Sequence, residues 1–421
     1  MLLDEAVEAF ARREPQAMAD RWSLYERLRT EAPFYRFRST TLVSRYEDVA
    51  LIFGDEANFE TGPFAAGGDG FRDVPETLSE ADRDLVRDIV QFQSHWMTAT
   101  NGAKHTQLRH LGTRVFSVRA INAMREVVDR VVNELLTEAA RSPECEFISK
   151  VAYRIPLAVI SEMLDIPVEL RDHLHGVWQT MIKFLGGLEW RPALPAQLEA
   201  VHASYLEMGA LLQQFIDTKR QGTDSDLLRR LFAAQDEGLG VTDADLIGII
   251  SQLFTAGHQT TQDLLGNAVY TLLLYPDQWA DIVADPSLVK NAVEEVLRFR
   301  SPAQDMERTA VHDVRIGDYT IAAGDHLTCL IGSANHDPGV FSDPGVFDIR
   351  RTDVMSHMAF SRGPHFCLGA ALSRMEGAAG LTALARRFPE VSLADTDIRW
   401  MPNTHLMGVA ALPLRFGPER G

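Results

Sequence analysis

The chain has 421 residues, and 41 Lys and Arg against 59 Asp and Glu leave a formal charge of -18, which repels nucleic-acid backbones and anionic membrane surfaces unless a local patch reverses the sign. Nucleic acid is therefore not an expected partner. The three cysteines, Cys145, Cys329 and Cys367, are odd in number and scattered, which suits a reducing cytoplasmic setting rather than a disulfide framework. The N-terminus carries Asp4 and Glu5, and no segment reaches about 18 uninterrupted apolar residues, so neither signal peptide nor membrane span is expected. Length alone suggests about two to three domains, but no repeat of about 20 to 50 residues is visible, and one unit over 1–421 is the simplest organisation.

In chain order, apolar residues recur at helical spacing over 21–30, 79–95, 105–116, 121–140, 198–219, 243–275, 286–300 and 368–388. Strand-like runs are short, at 314–316, 319–321 and 326–331. The expected class is mainly α with a minor β region.

The segment 243–275 stands apart. Thr242 is a candidate N-cap with Asp243 and Asp245 behind it, and Pro276 is the first proline after it, giving about 33 residues or roughly 50 Å of helix. Leu246, Ile249, Ile250, Phe254, Leu264, Leu265 and Leu272 leave it little polar face, so burial is expected. Its middle nevertheless reads Ala256-Gly257-His258-Gln259-Thr260-Thr261. Glycine costs about 1 kcal/mol in a helix interior, and buried hydroxyls and amides need partners. A flat ligand beside Gly257 and ordered water at Thr260 would account for both, and a kinked core helix with satisfied threonines is the plainer alternative.

The loop Phe360-Ser-Arg-Gly-Pro-His-Phe-Cys367-Leu-Gly369 delivers a cysteine to the start of an Ala-rich helix, where first-turn N–H groups and the helix dipole favour thiolate. A zinc site lacks a second ligand pair at usable spacing. A nucleophilic Cys-His arrangement stays open, although it explains neither Gly363 nor the polar centre of the long helix. An isolated cysteine is most often buried filler.

These segments together resemble the cytochrome P-450 family of haem-thiolate monooxygenases. The cysteine loop matches the family's FxxGxHxCxG signature. AGHQTT in the long helix, Glu295-x-x-Arg298 in EEVLR and NHDPGVFSDPGVFDIRR ending at Arg351 follow the family's order, and the likeness runs from about Leu24 to Leu414. It implies a cytochrome P-450 fold with a long central helix over a haem b. Cys367 is implied to ligate the iron, with Phe360 packed near the sulfur and Gly363 and Gly369 allowing a close backbone path. Ala256 and Gly257 would border the haem. His105 and Arg109, at i, i+4 in HTQLR, would clamp the propionates with Arg308 and His365. Glu295, Arg298 and Arg351 are implied to be structural support. Taken singly, each of these cations could equally be an ordinary surface group.

Thr260 and Gln259 are the implied catalytic pair for proton management. Most family members carry Asp or Glu where Gln259 stands, and an amide cannot titrate. Three outcomes stay open: ordinary hydroxylation with protons through water and Thr260, hydrogen peroxide as oxidant, or a reaction such as coupling or nitration. A non-catalytic haem-thiolate sensor is the rival from another class.

The same likeness assigns Phe92, Trp96, Phe184, Phe254, Ala303 and Leu406 to the pocket, with Gln91, Gln93 or Gln304 available to orient a small, largely apolar or aromatic substrate. No GxGxxG motif opens a helix, so NAD(P)H would act only indirectly, through a separate ferredoxin or flavodoxin and its reductase. His110, Arg114, Arg119 and Arg362 could form the basic patch such an acidic donor needs.

Overall fold

The apolar run after Thr242 folds as one continuous helix, Asp243–Leu274, in the computed structural model, which describes residues 2–61, 79–181, 195–238, 240–395 and 398–420. Its start is fixed reciprocally: the Asp245 N–H donates to Thr242 Oγ1 at 3.1 Å and the Thr242 N–H to Asp245 Oδ2 at 2.9 Å, which satisfies donors an N-terminus leaves unpaired. Pro276 opens the next helix, Pro276–Ala284, because it lacks the N–H that continuation requires.

The long helix joins two hydrophobic cores. Its first half, with Leu246, Ile249, Ile250 and Phe254, packs into a cluster with Leu174, Trp178, Tyr205 and Met208 of the helices Val168–Met181 and Pro195–Lys219. Its second half, with Leu264, Leu265, Ala268 and Leu272, packs with Val293 and Val296 of Val289–Phe299 and with Leu381 and Leu384 of Ala370–Arg387. Each such leucine stabilises the fold by about 1.5–3 kcal/mol. Residues 255–261 lie between the two clusters, where the sequence turns polar.

Most helices expected from periodicity form within a few residues of the expected bounds, including Arg21–Glu31, Glu80–Gln93 and Gly102–Val115. Two expected helices divide. The stretch 121–140 becomes Val118–Ala123 and Arg125–Ala139, the first started earlier by Ser117, whose hydroxyl accepts from Ala120 N. The stretch 286–300 becomes a 3-10 turn, Pro286–Leu288, and then Val289–Phe299, because Asp285 accepts from Ser287 N and caps the proline turn separately. Leu3–Ala11, Tyr46–Gly54, Arg154–Met163 and Val168–Met181 were not expected.

The strands Val314–Ile316 and Tyr319–Ile321 pair antiparallel as expected. The run 326–331 stops at Cys329, and Ile331–Ala334 turns helical. His326–Cys329 lies inside a five-stranded sheet in the order Phe34–Phe37, Thr40–Val43, His326–Cys329, Met306–Ala310, Phe59–Thr61. Thr40–Val43 and His326–Cys329 run parallel and the other pairs antiparallel. Within that sheet Arg308 pairs with Leu327 on one side and Thr61 on the other. Among the described residues no helix is long and apolar enough to cross a membrane.

Candidate active site

The polar middle of the long helix exposes one stripe. Leu253, Ala256, Gly257 and Thr260 are open to varying degrees, whereas Phe254, Thr255, His258, Gln259 and Thr261 are buried. The open residues fall at i, i+3, i+4 and i+7, one face of a helix, so this turn borders a cleft. Thr260 Oγ1 donates to Ala256 O at 2.9 Å, leaving its lone pairs toward the cleft. On the next residue, Thr261 Oγ1 meets Ser373 Oγ at 3.1 Å, which fastens this turn to the helix Ala370–Arg387.

Cys367 precedes that helix, with Gly369 at its N-cap. The Cys367 N–H donates to Phe360 O at 2.9 Å, closing the loop. Gly363 has φ +69, and a Cβ there would stand 2.3 Å from Phe53 O, so only glycine fits. Gly369 is different: its Cβ position is 4.0 Å from Cys367 Sγ and has an ordinary φ, so no protein atom requires glycine there. Nor does Gly257 approach anything closer than Ile160, at 3.5 Å. Phe360 is buried beneath the loop, with the Arg374 guanidinium 4.5 Å over its ring.

The Cys367 sulfur is enclosed at long range yet open at its surface, as a group lining an internal cleft is. Burial pushes the thiol up, against the Gly369 and Ala370 N–H groups and the Arg109 and Arg374 guanidiniums, which pull it down.

Two arginines and two imidazoles, Arg109, Arg308, His105 and His365, converge beside it. The His105 and His365 rings stack at 3.9 Å, and both are held below their ordinary pKa, His365 at about 3, by burial and by the nearby Arg308 and Arg109 charges. Arg308 is buried, with Nη1 on Glu307 O at 2.7 Å and Nη2 without an acceptor. A Glu56 carboxylate oxygen lies within 4.8 Å of ring nitrogens of both histidines. Two arginines and two imidazoles with so little counter-charge suit a flat group carrying two acidic arms, so these residues fit a haem.

The remaining expected site residues divide. Ala303 and Leu406 form an isolated antiparallel bridge and are both buried. Trp96 lies against the long helix, its indole N–H donating to Ser251 Oγ at 3.0 Å, and Phe92 packs edge-on to Tyr205 at 5.3 Å. Phe254 is a correction: it is fully buried, turned about 100° away from the open stripe. Gln93 and Gln304 are also committed inside, to Tyr205 and to Ser301 O and Tyr25. Phe184 and the Arg114 side chain lie outside the described residues. Gln259 departs most from expectation. It is buried off the Thr260 face, its Nε2 donating to Asp263 Oδ1 at 3.0 Å while Gln179 Nε2 donates to its Oε1 at 3.5 Å.

Glu295, Arg298 and Arg351 come together behind the loop. Arg298 makes two 2.7 Å bonds to the Glu295 carboxylate, Arg351 Nε reaches it at 3.2 Å, and the Asp348 N–H donates to it at 3.0 Å. The two guanidiniums then bind carbonyls of Asn335, Ser342, Asp343, Pro344 and Val346.

Sequence reasoning passed over His258, Asp263 and Glu376. Each is fully buried with an unpaired side-chain polar atom, a signal that only tertiary packing creates. His258 is pushed down to about 3 by burial and by neighbouring His175. Because His258 and His365 fold uncharged, the unfolded chain binds more protons between pH of about 3 and about 6.5. Stability is then fully present above about 6.5 and falls on acidification. Denaturant midpoints taken from pH 7 to 4 should decline, and His258→Leu should flatten part of that slope; an unchanged slope would refute the His258 contribution.

The fold and site correspond to known proteins. A family model described as Cytochrome P-450 matches residues 207–417. The cytochrome P-450 monooxygenase PikC of Streptomyces venezuelae is 34% identical over 96% of this chain and 93% of its own length. The 6-deoxyerythronolide B hydroxylase of Saccharopolyspora erythraea is 32% identical, covering 94% and 96%. The crystal structure of P-450 BioI in complex with an acyl carrier protein ligated to hexadec-9Z-enoic acid superposes with a TM-score of 0.86 at 28% identity, covering 96% of this chain and 100% of that one. The molecule is a haem-thiolate oxidoreductase of mainly α architecture. It belongs to the cytochrome P-450 family, of bacterial monooxygenase type.

Proposed function

We propose that this chain inserts one oxygen atom from O2 into a small, largely apolar organic molecule, with Cys367 as the residue that would bind the iron of haem b. The observation that carries the reading is the group of two arginines and two imidazoles, with little counter-charge, beside the cysteine loop and the open stripe in the middle of the long helix. A bound haem would supply oxygen binding and electron transfer. His105, Arg109, Arg308 and His365 hold its acidic arms, while Phe360 and the Gly363 turn fix the sulfur's approach. Ala256 and Gly257, both open to the cleft, would leave room beside a bound haem. Thr260 accepts a hydrogen bond from a pocket water while its own O–H donates to Ala256 O, and so orders proton delivery. Ala303 and Leu406 line the substrate side, consistent with the hydroxylase and monooxygenase names of the relatives.

Electrons come from an acidic ferredoxin or flavodoxin with its reductase, and NAD(P)H acts only through them, in the cytoplasm. His110, Arg119 and Arg362 are exposed. A groove of about 770 Å³ against the helix Ala370–Arg387 adds Arg125, Lys290, Arg374 and Arg386, against Asp129 and Glu294, to the cations available to such a donor.

Product formed with a surrogate ferredoxin pair, measured against NADH consumed, tests the reading. Thr260→Ala should lower product per NADH about tenfold, with hydrogen peroxide released in its place. Product from peroxide without any donor would favour the peroxide-driven alternative, and unchanged coupling in the variant would remove Thr260 from proton delivery.

A further inference from the structure

One flank of the long helix carries a polar stripe that the proposed chemistry leaves unused. Gln259, Asp263, Asn267 and Thr271 follow one another at four-residue spacing and are all buried, so their Cβ atoms lie about 5–6 Å apart along one slowly turning face. Three of them hold a polar atom with no partner: Asp263 Oδ2, Asn267 Oδ1 and Thr271 Oγ1.

The opposing wall repeats the pattern. Asn267 Nδ2 donates to Arg300 O at 3.1 Å and Met407 O at 2.9 Å. Arg300 Nε, Ser301 Oγ and Thr404 Oγ1 are also buried and unpaired. Three orphaned polar atoms in succession on one helix flank, with further unpaired buried groups in the segments around Arg300 and Met407 that Asn267 binds, are more than a dry interior tolerates, and spacing of this kind suits bridging water. The seam's outer end lies by the Arg300 guanidinium, which covers Tyr270 at 5.3 Å and Trp400 at 5.1 Å. Its inner end is Asp263 beneath Gln259.

Asp263 is tightly built in. Its Oδ1 accepts from Gln259, and a Cβ on Gly408 would stand 2.2 Å from that same oxygen. No cation is bonded to it among the described residues. Arg300 is the charged side chain of the seam and is occupied with the rings, while the groups nearest Asp263 are the uncharged Gln259, Asn267 and Gly408. Burial holds the carboxyl up at about 8, opposed by the Gln259 hydrogen bond.

We propose that this seam is an internal water file that brings protons from the Tyr270 and Trp400 side to the site, with Asp263 as the proton-holding, positioning residue acting beside Gln259. The carboxyl absent from position 259 is supplied one helical turn further on. Gln259 pins Oδ1, so Oδ2 carries the proton. A proton leaving Oδ2 to water is replaced from solvent through waters held by Asn267 and Thr271, and Asp263 ends each cycle as it began. The inference rests on the proposed oxygen chemistry, because only that chemistry consumes the protons.

The test uses Asp263→Asn, an isosteric change, in the full haem-loaded chain, with Thr271→Val as a second variant at the outer end. Infrared difference spectra of wild type at pH 7 should show a protonated-carboxyl stretch that shifts in D2O and is missing in Asp263→Asn. The stability of wild type relative to Asp263→Asn should fall as pH rises from about 4 to about 8, since the folded state holds the proton through that window. Asp263→Asn should lower product per NADH about tenfold and remove an ionisation near pH 8 from the rate profile, and Thr271→Val should lower coupling without removing the infrared band. The double change Gln259→Glu with Asp263→Asn should restore coupling. Absence of the band, or an unmoved rate profile and coupling in Asp263→Asn, overturns the proposal; unchanged coupling in Thr271→Val overturns the file. A wild type lacking the thiolate carbon monoxide spectrum would instead sink the oxygen chemistry, and the infrared band is read independently of it.

Discussion

Cys367→Ala is expected to abolish both the thiolate signature of the reduced, carbon monoxide-bound spectrum and all donor-dependent product. The sulfur is the softest ligand in the cleft, and the Gly369 and Ala370 N–H groups and the Arg109 and Arg374 guanidiniums all act to support its charge. Coordination to a metal replaces the proton that burial would otherwise keep on it. Removing the sulfur should cost far less in folding, because the loop is closed by the backbone bond from Cys367 N to Phe360 O, which alanine retains. Haem content should fall only partly, since His105, Arg109, Arg308 and His365 are untouched. A variant that keeps the thiolate spectrum would show that another group ligates the iron. One that loses haem entirely would show that the cationic cluster cannot hold the cofactor alone.

The legible parts of the molecule were those written in local sequence. The Thr242 cap, the Pro276 stop and the cysteine loop are short-range signals, and the structure follows them closely. Gly363 was legible for the same reason, since a positive φ leaves few residue choices. Side-chain direction was not legible. Gln259 and Phe254 sit one residue from members of the open stripe, yet a rotation of about 100° per residue turns both away from it. The stripe's face was fixed by contacts such as Thr261 with Ser373, 112 residues apart. Gln93 and Gln304 were read as free amides because their partners, Tyr205 and Tyr25, come from distant helices. Asp263 was hidden in the same way: its chemistry comes from burial and from the lack of a nearby cation, neither of which is visible in a run of letters.

Glu295→Gln is expected to cost about 3–5 kcal/mol of stability, because it leaves the buried Arg298 guanidinium without its counter-charge and Arg351 with only Asp353, at 3.4 Å. The Glu295 and Arg298 side chains are wholly inaccessible and Arg351 is nearly so. An amide can replace only some of the bonds the carboxylate accepts, from Arg298 twice, Arg351 and the Asp348 N–H. The damage should also be directional. Arg298 holds Asn335 O, and Asn335 Oδ1 accepts from the Met358 N–H at 2.7 Å, two residues before Phe360, whose carbonyl closes the cysteine loop. Loosening the triad should therefore weaken thiolate ligation, seen as partial loss of the carbon monoxide signature in protein that remains folded at low temperature. Glu162→Gln, which breaks only the exposed 2.8 Å pair with Arg130, serves as the comparison and should cost at most about 1 kcal/mol. Equal denaturation midpoints for the two variants would mean that the buried carboxylate is dispensable; a large stability loss with an intact spectrum would mean that the triad braces the fold without bracing the loop.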